Sequence, residues 1–309
     1  MKYWVGAAAV VVIAFLTALS GVNEYFFYAA FVVLQFMVLA TAWNILGGYA
    51  GYVNFGTAAF FAIGSYTAVV LFKWLGAPLA VQIAAAAAVS GLLGFGVGLL
   101  TLRLRGIFFA IATVAIIFIM ETVMMNWRYV GGATGLQLLR PDVLQPFGSY
   151  TRMLFFVMAL LAVIAVSVAR YVQISWIGRG LRAIRDSEEA AECSGVPTLK
   201  LKLFACTVSG ALMGAAGAPM PMYLSFIEPA SSFSLNYSVS ALAMPMIGGT
   251  VHWLGPVIGA LLLASIQQIV TVTISSEINV LVIGVLLVLF VVFAPDGVLG
   301  LFRKVVRKR

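Results

Sequence analysis

Ten stretches of this 309-residue chain are apolar, most of them close to the ~20 residues that cross a bilayer as a helix: 4–20, 26–46, 55–72, 79–102, 107–125, 153–168, 203–217, 237–247, 256–274 and 280–293. Only short polar segments separate them, so nothing is left over to build a water-soluble domain. With 63% hydrophobic residues, 9% charged and a mean hydropathy of +1.10, the apolar surface also exceeds what one soluble core could hide. The expected fold is therefore an all-α polytopic membrane protein of about ten transmembrane helices, forming one transmembrane domain over residues 1–309. The eighth stretch, 237–247, is short for a full crossing.

Charge gives the orientation. If all ten stretches cross, fourteen of the eighteen Lys and Arg residues fall on one side: Lys2, Arg103, Arg105, the six from Arg170 to Lys202, and five in 303–309. Lys73, Arg128, Arg140 and Arg152 are left on the other. Basic residues collect in the cytoplasm, so both termini and the segment 169–202 are expected to be cytoplasmic, and the segment 126–152 extracytoplasmic. The +8 net charge then reports membrane topology and gives no reason to expect a nucleic-acid partner. The first stretch, with Lys2 before it and Ala18, Leu19 and Ser20 after it, also fits a cleavable signal peptide, although a retained helix is favoured.

Small residues say how the helices meet. Gly47/Gly51, Gly94/Gly98, Gly210/Gly214 and Gly255/Gly259 are each four residues apart, and each pair would open a flat stripe for close backbone approach. Interruptions at Pro219, Pro221, Pro245 and Gly248-Gly249 read either as kinks or as the broken helices that line a water-filled path. Five stretches precede Gln145 and five follow it, which would give the halves opposite orientations, the inverted five-plus-five repeat common in transporters.

The segment 169–202 is the one strongly polar region between spans. Leu181 to Cys193 contains no helix breaker, and Gly195 and Pro197 supply a stop, so one short helix is expected there. Within a single helix the order is unfavourable. Arg182 and Arg185 would lead while Glu188, Glu189 and Glu192 trail, against the helix dipole. Two explanations remain open: basic residues held close to the membrane for topology, or a docking element whose charges and small apolar face, Leu181, Ile184 and Ala191, meet another protein.

Several separated motifs carry a resemblance. GRGLRAIRDSEEAAECSGVPTLKLKLFACTVSGALMGAAGA from Gly178, WNILGGYAGYVNFGTAAFFAIGSYTA from Trp43, LRLRGIFFAIAT from Leu102, GGATGL from Gly131, GGTVHWLGPVIGA from Gly248 and APDGVLGL from Ala294 together resemble the permeases of branched-chain amino-acid ABC importers, in the family's order and over most of the chain. The resemblance implies a membrane permease for branched-chain or related amino acids that pairs with a second related permease subunit. Two cytoplasmic ABC ATPase subunits would carry the ATP, leaving this chain without a cofactor, and an extracytoplasmic solute-binding protein would deliver the solute. Arg179, Leu181, Arg182, Ile184, Arg185, Glu188, Glu189 and Glu192 would form the ATPase-coupling loop. The sequence agrees in having no GxxxxGK[ST] phosphate loop of its own. Thr57 after Gly56, and Val251-His252 in the late motif, depart from the family's pattern near helix ends, and bear on substrate identity because relatives also move urea, short amides or aromatic acids.

Inside the spans, Glu121 is the one acid well within an apolar run, where a carboxylate must face protein or water. It could meet a substrate ammonium, with pairing to Arg128 or an adjacent helix favoured. Asn44, Asn54, Thr57, Ser65 and Thr113 offer uncharged hydrogen-bonding groups to a solute path or to packing. The basic Arg128, Arg140 and Arg152 would suit an acidic rim on a binding protein. An ion-coupled carrier would need more buried ionisable groups, and a membrane enzyme would need a nucleophile or acid–base pair. Cys193, Cys206 and His252 are not spaced as metal ligands.

Overall fold

A computed structural model describes residues 2–19, 23–104, 106–138, 147–273, 278–293 and 297–300. Ser20, Arg105, Arg140, Gln145 and the basic residues of 303–309, all invoked above, lie outside this set. Each of the ten expected stretches is helical: α1 (Lys2–Leu19), α2 (Glu24–Ala50), α3 (Thr57–Leu75), α4 (Leu79–Thr101), α5 (Ile107–Asn126), α6 (Tyr150–Ile174), α9 (Thr198–Gly217), α12 (Leu235–Gly248), α13 (Leu254–Thr273) and α14 (Ile278–Phe293). Between α6 and α9 lie α7 (Trp176–Asp186) and α8 (Glu188–Cys193), and between α9 and α12 the short α10 (Met220–Leu224) and α11 (Pro229–Ser232). Seven helices among the described residues are long and apolar enough to cross a membrane, counting α9 and α10 as one run, while α1 and α14 contain shorter apolar helices. The chain is a multi-pass helical membrane protein. Among the described residues the strand structure is a two-residue antiparallel pair, β1 (Leu136–Gln137) with β2 (Phe226–Ile227).

Contacts at the helix ends fix the directions. At one end, the start of α1 meets the end of α6 through Tyr3 and Ser167, 2.9 Å apart, and the end of α4 meets α9 through Leu102 and Lys202. At the other, Glu24 before the body of α2 pairs with Arg152 early in α6 at 2.8 Å, and Lys73 late in α3 donates to the carbonyl of Tyr129. Both α7 and α8 lie at the first of these ends, against the close of α2.

α2 is the hub. It packs on α6, α9, α12 and α13, and its second half is almost wholly buried. The tightest seam joins α4 to α9. A methyl group at Gly94 would sit 2.8 Å from the Cys206 carbonyl, and one at Gly214 would sit 2.2 Å from Ser90 Oγ, so these positions admit only glycine at this spacing. Gly255 and Gly259 press in the same way on the backbone of Gly249 and Met244, joining α13 to the end of α12. Gly47/Gly51 differs from the expectation. Gly47 faces its own chain's Trp43, and Gly51, at φ +79°, caps α2 with Arg185 lying over it, so this pair seats α7 instead of a second long helix.

Several helices run beyond their apolar stretches. α6 continues through Arg170 to Ile174, and α9 begins at Thr198, taking Lys200 and Lys202 into its first turns. Hydropathy marked where the grease ended, and backbone hydrogen bonding carried the helix further.

Candidate functional site

The expected single helix over 181–193 is two. Ser187 adopts an extended backbone, φ −164° and ψ 112°, and its side-chain oxygen accepts from the Ala190 N–H to cap α8. This break relieves most of the electrostatic conflict of the one-helix reading. Arg185 now closes α7 at the negative end of its dipole, and Glu188 and Glu189 open α8 at the positive end. Only Asp186 and Glu192, at the carboxyl ends of α7 and α8, keep an unfavoured position. The missed signal was Ser187 followed by acids, an N-cap pattern hidden inside a run with no Gly or Pro.

The apolar face of this element does not point outward. Leu181, Ile184 and Ala191 are buried with Ile45, Leu46 and Tyr49 of α2 and with Leu201 and Ala205 of α9. The expectation that they meet another protein is therefore corrected: they glue α7 and α8 to the membrane helices. What remains exposed is a charged outer surface containing Arg179, Arg185, Asp186, Glu189 and Glu192. Arg182 is half-buried, donating through Nε to the Gly178 carbonyl at 3.2 Å, and Glu192 accepts from Thr198 Oγ1 at 2.7 Å.

Glu188 turns inward to a latch that the sequence did not reveal. Its two carboxylate oxygens take Lys202 Nζ and the Tyr52 hydroxyl. Lys202, with only 4% of its side chain exposed, also donates to Tyr52 Oη and to the Leu102 carbonyl, both at 3.1 Å. All three ammonium donors are thus used, the condition under which a buried ion pair is tolerated. The latch joins the start of α8, the first turns of α9, the end of α4 and the link between α2 and α3. Arg185 adds a bond from Nη1 to the Gly48 carbonyl at 3.1 Å. Fourteen residues separate Glu188 from Lys202, across a turn, so no helical spacing could have announced the pair.

The polar residues expected inside the spans fall into two groups. Asn54, Thr57 and Thr113 come together around the extended link between α2 and α3. Asn54 Oδ1 accepts from the Gly56 N–H at 2.7 Å, Thr113 Oγ1 accepts from the Phe55 N–H at 3.1 Å, and Thr57 is buried beside them. Asn44 donates to the Thr250 carbonyl, and Ser65 to that of Gly217, so both bind helix to helix. Glu121 stands apart. It is half-buried near the end of α5, and no ion pair joins it to Arg128. Arg152 is engaged with Glu24, leaving Arg128 as the exposed arginine of that end among the described residues.

A chamber of about 360 Å³ lies between α2, α12 and α13, lined by uncharged polar groups, among them Gln35, Ser240, Gln267 and Gln268, beside aliphatic Val32 and Ile283. Gln35 and Gln267 are buried, and Gln267 Nε2 reaches Ser240 Oγ at 3.5 Å. A glutamine within an apolar run was the available signal.

Comparison with known proteins decides the family. Residues 25–291 match the family described as branched-chain amino acid transport system / permease component. The chain belongs to this family. The permease is 28% identical over 293 residues to the high-affinity branched-chain amino acid transport system permease protein LivM of Salmonella typhimurium, covering 87% of this chain and 68% of that one, and 27% identical to its Escherichia coli counterpart with the same coverage. A shorter likeness, 31% over 130 residues, links 40% of the permease to 39% of the ribose import permease RbsC of Haemophilus influenzae. No solved structure matches it.

Proposed function

We propose that this permease is the membrane-spanning part of an ATP-binding-cassette importer that moves branched-chain amino acids across the cytoplasmic membrane. Ten helices cross, α7 and α8 lie in the cytoplasm, and both termini share that side. The five helices before the 126–152 segment and the five long ones after it alternate in direction, as an inverted repeat requires. ATP is hydrolysed on two separate cytoplasmic subunits, a second related permease completes the pathway, and an extracytoplasmic binding protein delivers the solute.

One observation carries the mechanism. α7 and α8 present a charged outer face while Glu188, Lys202 and Tyr52 bolt them to α2, α4 and α9. A push on that face must move three membrane helices together. In this reading Arg179, Arg185, Glu189 and Glu192 touch the ATPase, whereas Leu181 and Ile184 transmit from beneath. The uncharged chamber with Val32 and Ile283 at its side suits a zwitterion bearing an aliphatic side chain, whose net charge is zero. Asn54, Thr57 and Thr113 shape the neighbouring link between α2 and α3. Glu121, on the open side of α5, faces the second subunit or the path between the two.

The test is radiolabelled uptake into vesicles holding the assembled importer, loaded with ATP and supplied with candidate binding proteins. Leucine-type solutes should accumulate only with nucleotide. Accumulation driven by an ion gradient without ATP would reject the reading, and competition by urea or short amides in place of leucine would redirect the substrate class. Charge reversal at Arg179 and Glu189 together should weaken ATPase co-purification; unchanged attachment and uptake would remove them from the docking face.

A further inference from the structure

A second cluster of arginines lies at the α7–α8 end of the protein and takes no part in the latch. Arg170 near the end of α6, with Arg179 and Arg182 of α7, lines a pocket of about 430 Å³ together with His252 and Trp253. No acidic side chain lines it. Among the described residues none of the three arginines forms an ion pair, and Arg179 is exposed. Three uncompensated guanidinium groups around one cavity create a site for an anion, and their planar forks match phosphate oxygens.

The pocket is built. Gln173 donates to the Val251 carbonyl at 3.0 Å and accepts from the Trp253 N–H at 3.0 Å, fixing the turn between α12 and α13 against α6. The Arg170 guanidinium sits 4.0 Å over the Tyr3 ring and 5.6 Å from that of Trp253, and the two rings meet edge to face. A tyrosine, a tryptophan and an arginine in mutual contact at the helix ends are what the boundary between hydrocarbon and water favours.

Trp253 also lines the next cavity. That cleft, about 450 Å³, is almost wholly apolar and runs between α1, α6 and α13 past Gly6, Ala7 and Val166. Through Val10, Leu34 and Ala159 it adjoins a further apolar cavity of about 760 Å³ along α1. A basic pocket and an apolar track along a membrane helix thus adjoin at Trp253, which lines both. A free phosphate would use only the first of these, and a neutral lipid only the second.

We propose that this composite site holds one anionic phospholipid, its phosphodiester between Arg170 and Arg182, with Arg179 left to the outer face, and an acyl chain in the cleft beside α1. The inference rests on adjoining cavities and holds for either orientation in the membrane. Such a lipid would fill the loose side of α1 and tie α7 to the bilayer surface, so that the position of the coupling element would depend on headgroup charge.

The test is native mass spectrometry of the full chain, delipidated and then titrated with phosphatidylglycerol, with phosphatidylcholine of the same chains, or with inorganic phosphate. Phosphatidylglycerol should be retained at roughly thirtyfold lower concentration than phosphatidylcholine, the preference that two basic groups give toward an anionic headgroup. The double variant Arg170→Gln/Arg182→Gln should erase that preference. Because it could also disturb folding, Gly6→Leu supplies an independent arm: a Cβ there has no atom within 4 Å, so the leucine can extend into the cleft that Gly6 lines, and every charge stays in place. It should lower retention of phosphatidylglycerol several-fold. Equal retention of the two lipids, displacement of phosphatidylglycerol by inorganic phosphate, or unchanged retention in Gly6→Leu would each overturn the proposal. So would an arginine variant that loses ATPase attachment while holding lipid as before, since the pocket would then serve an acidic protein partner.

Discussion

α9 and α5 meet opposite fates, and the more apolar of the two, α5, is the less buried. In the run from Thr198 to Leu224, 61% of the most apolar stretch is buried within the chain, and in α5 only 22%. Apolar content alone would rank them the other way. Glycines at Gly210 and Gly214 let α9 sink against α4, and Lys202 at its foot closes the latch with Glu188 and Tyr52. α5 instead turns Ile111, Phe118, Ile119 and Val123 outward. The difference teaches that helices inside the molecule are recognised by small residues and satisfied charges, and helices at its rim by their absence.

Breaking the latch should give the largest effect. Lys202→Met leaves Glu188 buried without its cation, a change that costs about 3–5 kcal/mol, and the double variant Lys202→Met/Glu188→Leu should recover much of it because the unpaired charge is gone. Thermal unfolding in detergent reads both, and a double variant as unstable as the single would deny the coupling. Next comes Gly214→Leu, whose side chain has no room beside Ser90 and Ala86 and should cost about 1–3 kcal/mol or more, where Ile119→Ala on α5 stays within about 0.5 kcal/mol. Similar losses at the two positions would erase the contrast between the helices. Arg185→Ala removes a partly exposed bond to Gly48, and a loss of about 1 kcal/mol is expected, with looser seating of α7 visible as faster amide exchange in 176–186. Glu121→Gln is the mildest. It should leave folding unchanged and alter uptake modestly; abolished uptake in an intact assembly would make Glu121 a direct solute contact.

Much of this architecture could be read from the chain. Ten apolar stretches became ten helices, and three of the four glycine pairs became close-packed seams. Residue identity was enough there because helix burial and backbone approach are local properties. The α7–α8 element was harder. Its position and charge were legible, but one serine divides it, and the inward turn of Glu188 toward Lys202 depends on a fold that brings α8 beneath α9 and α4. The same holds for Leu181 and Ile184, whose apolar character announced burial without naming the surface that buries them. Asn54, Thr57 and Thr113 were visible as polar groups inside grease, whereas their convergence on the α2–α3 link needed three dimensions. Gln35 and Gln267 sat equally plainly in apolar runs, and only the chamber between their helices sets them apart.

The central claim is that force applied to α7 and α8 reaches the membrane helices through the Glu188–Lys202–Tyr52 latch. The most direct measurement is the number of solute molecules moved per ATP hydrolysed by the reconstituted importer, compared between the native chain and Tyr52→Phe, which removes one hydroxyl from the latch and keeps the ion pair. Hydrolysis should persist while transport per ATP falls. An unchanged ratio, with the variant fully assembled, would contradict the account.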